Sequence, residues 1–264
     1  MNEDFSQPAV RMCEYSADPA AHTVLYCFTH AGGAAPFFRP WAACLPPGVA
    51  LCVIQPPGRQ DMMRFPPFPD MAALADATAR AIEGHLRGRR HVFFGHSMGA
   101  LTAFETARRL RRAGLPEPDL LGVSACPAPH LGPDGPPVRD LSDEQLLARV
   151  TALGGLEPEL LASQELVALM LPAIRADFEI LDGYAYVAEP PLGCGLAVFG
   201  GLSDDSVPGE SLRAWDGHAL GRTVFQLYPG GHFYLDDAKA GILDVMLAPG
   251  QAGLLDLDRQ AIDR

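Results

Sequence analysis

The stretch His91-Val92-Phe93-Phe94-Gly95-His96-Ser97-Met98-Gly99-Ala100 decides the fold. Its first four residues form an apolar run typical of a buried strand, and a helical pattern begins at Ala100. The turn between them has the form Gly-x-Ser-x-Gly, in which glycines flank the serine because side chains would clash in a tight, strained turn. The pattern predicts that Ser97 stands above the end of the strand, at the N-terminus of a helix that favours developing negative charge.

Short apolar runs recur on both sides of this stretch and alternate with helical patterns. They predict strands over Val24–Phe28, Val49–Ile54, Val92–Gly95, Leu120–Ser124, Leu196–Phe199 and Val224–Leu227. Helices are predicted over Met71–Leu86 and Ala100–Ala113. Alternating strands and helices indicate an α/β fold, with a mostly parallel sheet and helices on both of its faces.

One interval is too long for a simple crossover, since about seventy residues separate Ser124 from Leu196. It opens with a Pro- and Gly-rich stretch over 127–137. Three helical patterns follow. The first begins after an N-cap at Ser142, the second is a short helix over Pro158–Leu161, and the third is a longer helix over Gln164–Leu181. We interpret residues 130–190 as a helical lid inserted into a single domain that spans residues 1–264. The alternative is a pair of ordinary helices that cover the sheet.

A serine hydroxyl needs an adjacent base, and a histidine base needs an acid that holds its tautomer. In a fold of this kind the chain order is serine, acid, histidine. His232 follows a Gly-Gly turn directly after the last predicted strand, whereas His218 is interpreted as part of a solvated surface turn. Asp204 and Asp205 both follow the preceding strand, and spacing does not choose between them. One of the two is expected to cap the helix after Ser206.

Two backbone N–H groups must stabilise the oxyanion that forms when an acyl carbonyl is attacked. One is expected from Met98, the residue after the serine. The other is expected from the loop Thr29-His30-Ala31-Gly32-Gly33, which follows the first predicted strand and whose glycines let the backbone approach a substrate closely. The alternative is that this loop is a plain glycine-rich turn.

Composition and charge argue against several other classes of protein. The 264 residues carry a formal net charge of −12, whereas a non-specific nucleic-acid binder is normally basic. We expect no signal peptide, because no cationic segment leads into an apolar run, and no stretch reaches the roughly 18 apolar residues of a membrane span. The six cysteines lack metal-ligand spacing, so we expect reduced, buried thiols in a cytoplasmic protein without a metal or other cofactor.

Five separated motifs span nearly the whole chain. They are His30-Ala31-Gly32-Gly33, Gln55-Pro56-Pro57-Gly58-Arg59, Gly95-His96-Ser97-Met98-Gly99, Leu171-Pro172-Ala173-Ile174-Arg175-Ala176-Asp177-Phe178 and Gly230-Gly231-His232-Phe233. Together they resemble the type II, or external editing, thioesterases of polyketide and nonribosomal peptide synthesis, which have the α/β-hydrolase fold. Within the fourth motif, Arg175 and Asp177 are interpreted as forming salt bridges on a helix face, and the alternative is that they have a functional role.

The resemblance implies that Ser97, Asp204 and His232 form a catalytic triad. The resemblance favours Asp204 over Asp205. The acid of the family lies at a similar distance after the strand begins, and it is followed by Val and Trp, as Val207 and Trp215 follow here.

The resemblance also implies an oxyanion hole formed by the amides of Ala31 and Met98, a mobile helical lid, and a carrier protein partner that bears a phosphopantetheine arm. The enzyme itself is expected to be a monomer. Carrier proteins are typically acidic, so docking on an acidic chain needs a local basic surface. Arg87–Arg90 and Arg108–Arg112 are the candidates, and the alternative is that they form solvated faces.

We therefore predict a serine hydrolase that removes aberrant acyl groups from the phosphopantetheine arms of carrier proteins, through an acyl-enzyme on Ser97. A carboxylesterase or lipase that acts on free esters is the first alternative, because the same triad serves both reactions. The second alternative is a non-catalytic interaction protein on a hydrolase scaffold, which the presence of nucleophile, base, acid and oxyanion loop disfavours.

Overall fold

The computed structural model describes residues 9–16, 18–86, 88–132, 136–156 and 162–248. Their strands are β1 (Arg11–Ser16), β2 (Thr23–Phe28), β3 (Val49–Gln55), β4 (Arg90–His96), β5 (Leu120–Ser124), β6 (Gly195–Gly201) and β7 (Thr223–Tyr228). They form a 7-stranded sheet in the order β1-β3-β2-β4-β5-β6-β7. The edge strand β1 pairs antiparallel with β3, and the other neighbouring strands are parallel.

The predicted strands correspond to β2 through β7, with ends that differ by at most about two residues. The remaining strand, β1, was not predicted, because its half-exposed residues between Arg11 and Ser16 carry no continuous apolar run. Its backbone pairs with β3 along the strand. An edge strand of this kind is therefore stabilised by pairing with its neighbour more than by its own hydrophobic pattern.

The α-helices of the described residues are α1 (Met71–Glu83), α2 (Met98–Arg112), α3 (Asp143–Ala152), α4 (Gln164–Asp182), α5 (Gly209–Arg213) and α6 (Leu235–Leu247). The predictions for α1, α2 and α4 are confirmed. The sequence analysis did not predict α6, although Ile242 and Met246 have the spacing of one helix face and are both buried.

Apolar side chains pack on both faces of the sheet, because alternate residues of a strand point to opposite faces. On one face, Tyr26 of β2 belongs to a core that includes Phe104 of α2. On the other face, Leu25 belongs to a core that includes Ile242 of α6 and Trp41, which lies in a 3-10 helix over Ala35–Cys44. The predicted α/β fold, with helices on both faces of a mostly parallel sheet, is confirmed.

The inserted segment, residues 125–194 between β5 and β6, has an apolar cluster of its own. In this cluster Leu146 of α3 packs with Ile174 and Phe178 of α4. The N-cap predicted at Ser142 is confirmed, since its hydroxyl and the side chain three residues later form a capping box. The short helix predicted over Pro158–Leu161 lies outside the described residues.

Within the described residues, no helix combines the length and the apolar character needed to cross a membrane. The cysteines are free thiols. The buried ones are Cys27, Cys52, Cys126 and Cys194. The prediction that the cysteines are buried is wrong for Cys44, which is exposed at the end of a 3-10 helix, and for Cys13, which is half-buried in the edge strand.

Candidate active site

Ser97 occupies the turn between β4 and α2 with a strained backbone, at φ 55° and ψ −124°. A Cβ atom at Gly95 would lie 2.1 Å from the carbonyl oxygen of Gly99, and one at Gly99 would lie 2.1 Å from the carbonyl oxygen of Phe28. Glycine is therefore needed at both positions. The N–H of Ser97 donates to the carbonyl of Ser124 at 2.8 Å, which ties the turn to β5.

The glycine-rich loop after β2 lies at the edge of the sheet where β4 ends and Ser97 is found. The close approach of the Phe28 carbonyl to Gly99 sets the beginning of this loop directly against the first turn of α2. Met98 is the first residue of α2 and lines the same cavity as Ser97. The structure therefore places the loop that contains Ala31 beside the helix end that supplies the Met98 amide.

Asp204 and His232 are joined by a hydrogen bond at this edge. Nδ1 of His232 lies 2.7 Å from Oδ2 of Asp204, and both side chains are almost fully buried. Burial alone would raise the pKa of Asp204, but hydrogen bonds from His232 and Ser206 outweigh burial and lower the pKa from its ordinary value. With Asp204 ionised, the Nδ1 atom of His232 carries the shared proton and Nε2 is free to act as a base.

Asp205 lies apart from the histidine, because its side chain is exposed at the cavity rim. The predicted capping role is wrong for both acids: α5 begins at Gly209, with Pro208 at its N-cap. Asp204 instead accepts hydrogen bonds from the backbone N–H and the hydroxyl of Ser206. This contact of Ser206 was not predicted, although an Asp that accepts from the backbone N–H two residues on is a common turn signal.

The loops that carry the acid and the histidine touch through their backbones. A Cβ atom at Gly201 would lie 2.2 Å from the carbonyl oxygen of Gly231, and the N–H of Ser203 donates to the carbonyl of Gly230 at 2.8 Å. Gly230 has a φ of 120°, which L side chains rarely adopt. The Gly-Gly turn before His232 therefore allows the two loops to lie in direct contact.

Two more buried histidines, His30 and His96, lie near His232. The ring centroid of His96 is 5.2 Å from that of His232 and 6.2 Å from that of His30. Burial, and secondly the charge of a protonated His232, lower the pKa of His30 to about 3 and that of His96 well below its ordinary value. Both rings are therefore neutral at neutral pH.

A buried ion pair joins the inserted segment to the glycine-rich loop. Arg59 donates to both carboxylate oxygens of Asp177 in α4, at 2.6 and 2.9 Å. Asp177 also accepts from the N–H of Gly32 at 2.7 Å, and Arg59 donates to the carbonyl of Gly33 at 3.1 Å. The glycine-rich loop is therefore held by α4 as well as by the sheet.

The prediction that Arg175 and Asp177 form salt bridges along their own helix face is wrong, because both have partners outside α4. Arg175 pairs instead with Asp143 at the start of α3, with an N–O distance of 2.6 Å. Residues two positions apart do not share a helix face, so Asp177 turns toward the glycine-rich loop while Arg175 turns toward α3.

The interpretation of His218 as part of a solvated turn is also wrong. Its side chain is buried, and its Nε2 lies 2.8 Å from Nδ1 of His130. The neighbouring Trp215 is fully buried and donates from its indole N–H to the carbonyl of Cys126 at 2.8 Å. The buried tryptophan pulls this short helix into the core, which local polarity did not reveal.

The structure places the two predicted basic clusters in different surroundings, and their role in docking a carrier protein stays a prediction. Three arginines of the second cluster pair with Glu189 of the inserted segment. They are Arg108, Arg111 and Arg112. Arg108 is also buried, and it pairs with Glu105 at 2.5 Å. The first cluster lies at the amino end of β4, the sheet edge opposite Ser97, and its Arg87 lies outside the described residues.

Ser97 and His232 open onto one cavity of about 350 Å³ between the sheet edge and the inserted segment. Apolar side chains from both regions line most of it, among them Met98, Leu101, Leu153, Phe178, Leu181 and Val207. A mostly apolar cavity with a few polar groups is typical of a small-molecule site. This one suits an apolar acyl group next to the serine.

A serine on a strained turn between a strand and a helix, with a buried histidine–carboxylate pair on the same cavity, defines the class of α/β-hydrolases. The family model for the thioesterase domain matches residues 23–247. The chain therefore belongs to the thioesterase family, whose members hydrolyse thioesters.

Individual relatives agree with this assignment. Thioesterase PikA5 of Streptomyces venezuelae is 36% identical over 83% of this chain and 78% of its own length. The structure of the type II thioesterase BorB, from the borrelidin biosynthetic cluster, matches with a TM-score of 0.82 and 37% identity over 94% of this chain and 98% of its own. The RedJ thioesterase of the prodiginine pathway in Streptomyces coelicolor matches with a TM-score of 0.80 and 36% identity over 86% of this chain and 92% of its own.

Proposed function

We propose that Ser97 is the nucleophile of a two-step thioester hydrolysis. Nε2 of His232 removes the hydroxyl proton as Ser97 Oγ attacks the acyl carbonyl, and the thiol leaves with a proton from the imidazolium. An acyl-enzyme ester remains. Water, deprotonated by the same nitrogen, then attacks the ester and releases the free acid. Asp204 holds the imidazole in the required tautomer and stabilises its charged form in both steps.

The proposed oxyanion hole consists of the backbone amides of Ala31 and Met98. The contact of the glycine-rich loop with the start of α2 supports this pairing, since it brings both stretches of backbone to one edge of the sheet. Donors of this kind are worth about 10²–10³ in rate when one is lost. The ion pair of Arg59 and Asp177 also supports the proposed position of the Ala31 amide, because it holds the loop that carries Ala31.

The proposed substrate is an aberrant acyl group carried on the phosphopantetheine arm of a carrier protein. Membership of the thioesterase family supports thioester chemistry, and BorB and RedJ, from two biosynthetic pathways, support this setting. In this proposal residues 130–190 act as a lid over the cavity, within a single domain over residues 1–264. A monomeric state, a cytoplasmic location and the lack of a cofactor stay predictions.

The observation that carries the proposal is the buried hydrogen bond between His232 and Asp204 beside the cavity onto which Ser97 opens. The test is hydrolysis of acyl groups from a carrier protein, followed by intact mass, with Ser97→Ala as the variant. We expect the rate to fall by about 10⁴-fold or more. A parental rate in that variant would overturn the assignment of the nucleophile.

Two controls separate this function from its alternatives. A free ester with the same acyl group, measured beside the carrier-bound thioester, distinguishes a thioesterase from a carboxylesterase or lipase. A serine-reactive phosphonate should label Ser97 in the parent chain, and the label should disappear in Ser97→Ala. Absence of labelling in the folded parent chain would favour a non-catalytic interaction protein.

A further inference from the structure

The cavity beside Ser97 and a second cavity share one lining residue, a tyrosine. Tyr184, just beyond α4, lines the cavity of about 350 Å³ that contains Ser97. It also lines a separate cavity of about 290 Å³, together with Glu105 and Arg108 of α2. The ring of Tyr184 therefore lies between the two spaces. Its size decides whether they are separate or continuous.

Tyr184 is anchored rather than free to swing. Its hydroxyl donates to Oε1 of Glu105 at 2.8 Å, and the same oxygen accepts from Arg108 at 2.5 Å. Arg108 is itself almost fully buried and also pairs with Glu189 at 2.9 Å. Burial, with the adjacent Glu105 carboxylate, raises the pKa of the Tyr184 phenol, so the hydroxyl remains a donor. A residue held in this way forms a fixed wall.

The position of Glu105 in α2, to which the Tyr184 hydroxyl is bonded, indicates the size of the acyl group. Leu101 lines the cavity next to Ser97, and Glu105 follows it by one helical turn on the same face of α2. Because α2 rises 1.5 Å per residue, Glu105 lies about 12 Å beyond Ser97 along the helix axis. An extended chain of about eight to ten carbons spans this length, since C–C bonds are about 1.5 Å long and zigzag.

The two cavities differ in character. The cavity next to Ser97 is lined mainly by apolar side chains. The second cavity has a mixed lining, in which Met71 and Val187 lie beside the charged side chains of Glu105, Arg108 and Arg112. An alkyl chain gains free energy by leaving water for apolar surroundings, so it is favoured in the first cavity and, where the two are joined, along the apolar part of the second.

We propose that Tyr184 sets the upper limit of acyl-chain length by closing the apolar cavity, and that the enzyme takes uncharged acyl groups of medium length. This inference rests on the thioesterase function proposed above. Groups longer than the distance to Tyr184 must fold back within the cavity or leave it, and are hydrolysed slowly. Shorter groups fit but bury less apolar surface.

The test compares Tyr184→Ala with Tyr184→Phe on acyl-pantetheine thioesters from about four to about sixteen carbons. The alanine variant joins the two cavities, so the ratio of kcat/KM for a chain of about fourteen carbons to one of about eight should rise by about tenfold or more. The phenylalanine variant keeps the ring and loses only the hydroxyl, so its length of maximum kcat/KM should match that of the parent chain. An unchanged profile in Tyr184→Ala would overturn the inference.

Two further measurements keep the test decisive. Tyr184→Trp enlarges the side chain and should move the preferred acyl length toward shorter chains, opposite to the shift in Tyr184→Ala. This measurement stays informative even if Tyr184→Ala is unstable. Labelling of Ser97 by alkyl phosphonates of increasing length reports access to the cavity without turnover. If the parent chain hydrolyses none of the thioesters, the proposed function fails. If the parent is active and the three variants share its length profile, only the role of Tyr184 fails.

Discussion

The sheet edge that carries Ser97 and the inserted segment above it are held together in different ways. At the sheet edge, neighbouring loops are in backbone contact, as at Gly99 with Phe28 and at Gly201 with Gly231. The helices α3 and α4 of the inserted segment have their own small apolar cluster and reach the glycine-rich loop at the sheet edge through side chains, chiefly Asp177. Backbone contacts leave little freedom, whereas side-chain contacts can be exchanged one at a time. The difference suggests that the sheet edge determines the chemistry and the inserted segment determines the substrate.

The largest expected effect lies at the sheet edge. Asp204→Asn keeps the shape of the acid but removes its charge and disturbs the tautomer of His232, so kcat should fall by about 10⁴-fold with the fold intact. The matched control is Asp205→Asn, the adjacent acid, which should reduce kcat far less because Asp205 is exposed and away from the imidazole. Steady-state kinetics on an acyl-pantetheine thioester measure both. Equal losses in the two variants would remove the distinction between the acids.

A smaller but clear effect is expected where the two regions meet. Removing either Arg59 or Asp177 leaves the other charge buried without its partner, which should lower the free energy of unfolding by about 3–5 kcal/mol. The double variant Arg59→Ala/Asp177→Ala should lose less than the sum of the two single variants. Urea unfolding measures stability. In the Asp177 variant kcat should also fall, because the Gly32 amide loses its acceptor and the loop of the proposed oxyanion hole loosens.

Arg175→Ala is the control for this interface, since it lies in the same helix and breaks the pair with the exposed Asp143. It also removes hydrogen bonds to the carbonyls of Val138 and Leu141, so its cost should be about 1–2 kcal/mol, still below that of the buried pair. Losses as large as those of the Asp177 variant would mean that the whole inserted segment responds to any change in α4. In that case the buried pair would have no special part in joining the two regions.

The smallest expected effect is a pH dependence of stability that originates at the sheet edge. The pKa of His30 falls from an unfolded value near 6.5 to about 3 on folding, so below pH 6.5 the unfolded chain binds a proton that the folded chain does not. Stability is therefore full above pH 6.5 and is lost as the pH falls toward 3. Between pH 6.5 and 5 this histidine should contribute a loss of about 1–2 kcal/mol.

This contribution is measured by urea unfolding at both pH values in the parent chain and in His30→Asn. The variant should lose less stability on acidification than the parent, because one depressed imidazole is gone. If parent and variant lose equal stability, His30 is protonated in the folded protein. The sheet edge would then be more open to water than the buried rings imply.

Much of the sheet and the positions of the candidate site residues could be predicted from local pattern. The strands from β2 to β6 are buried on both faces, so they appear as continuous apolar runs, and the Gly-x-Ser-x-Gly turn marks the end of β4. The half-buried β7 keeps an apolar run as well. The acid of the candidate site was harder to predict, because Asp204 and Asp205 are adjacent and differ only in which side of the loop they face. Side-chain direction in an irregular loop depends on contacts that no spacing encodes. The same reason explains the wrong prediction for His218, which follows the buried Trp215.

The sequence alone determined the serine turn, the order of serine, acid and histidine, and the alternation of strands and helices, because each is written in neighbouring residues and their periodicity. The tertiary structure decided which residues meet across long separations. It joined Arg59 to Asp177, turned the arginines near the end of α2 onto Glu189, and set Tyr184 between two cavities. Such contacts follow from the packing of the inserted segment on the sheet, and local propensity carries no information about them.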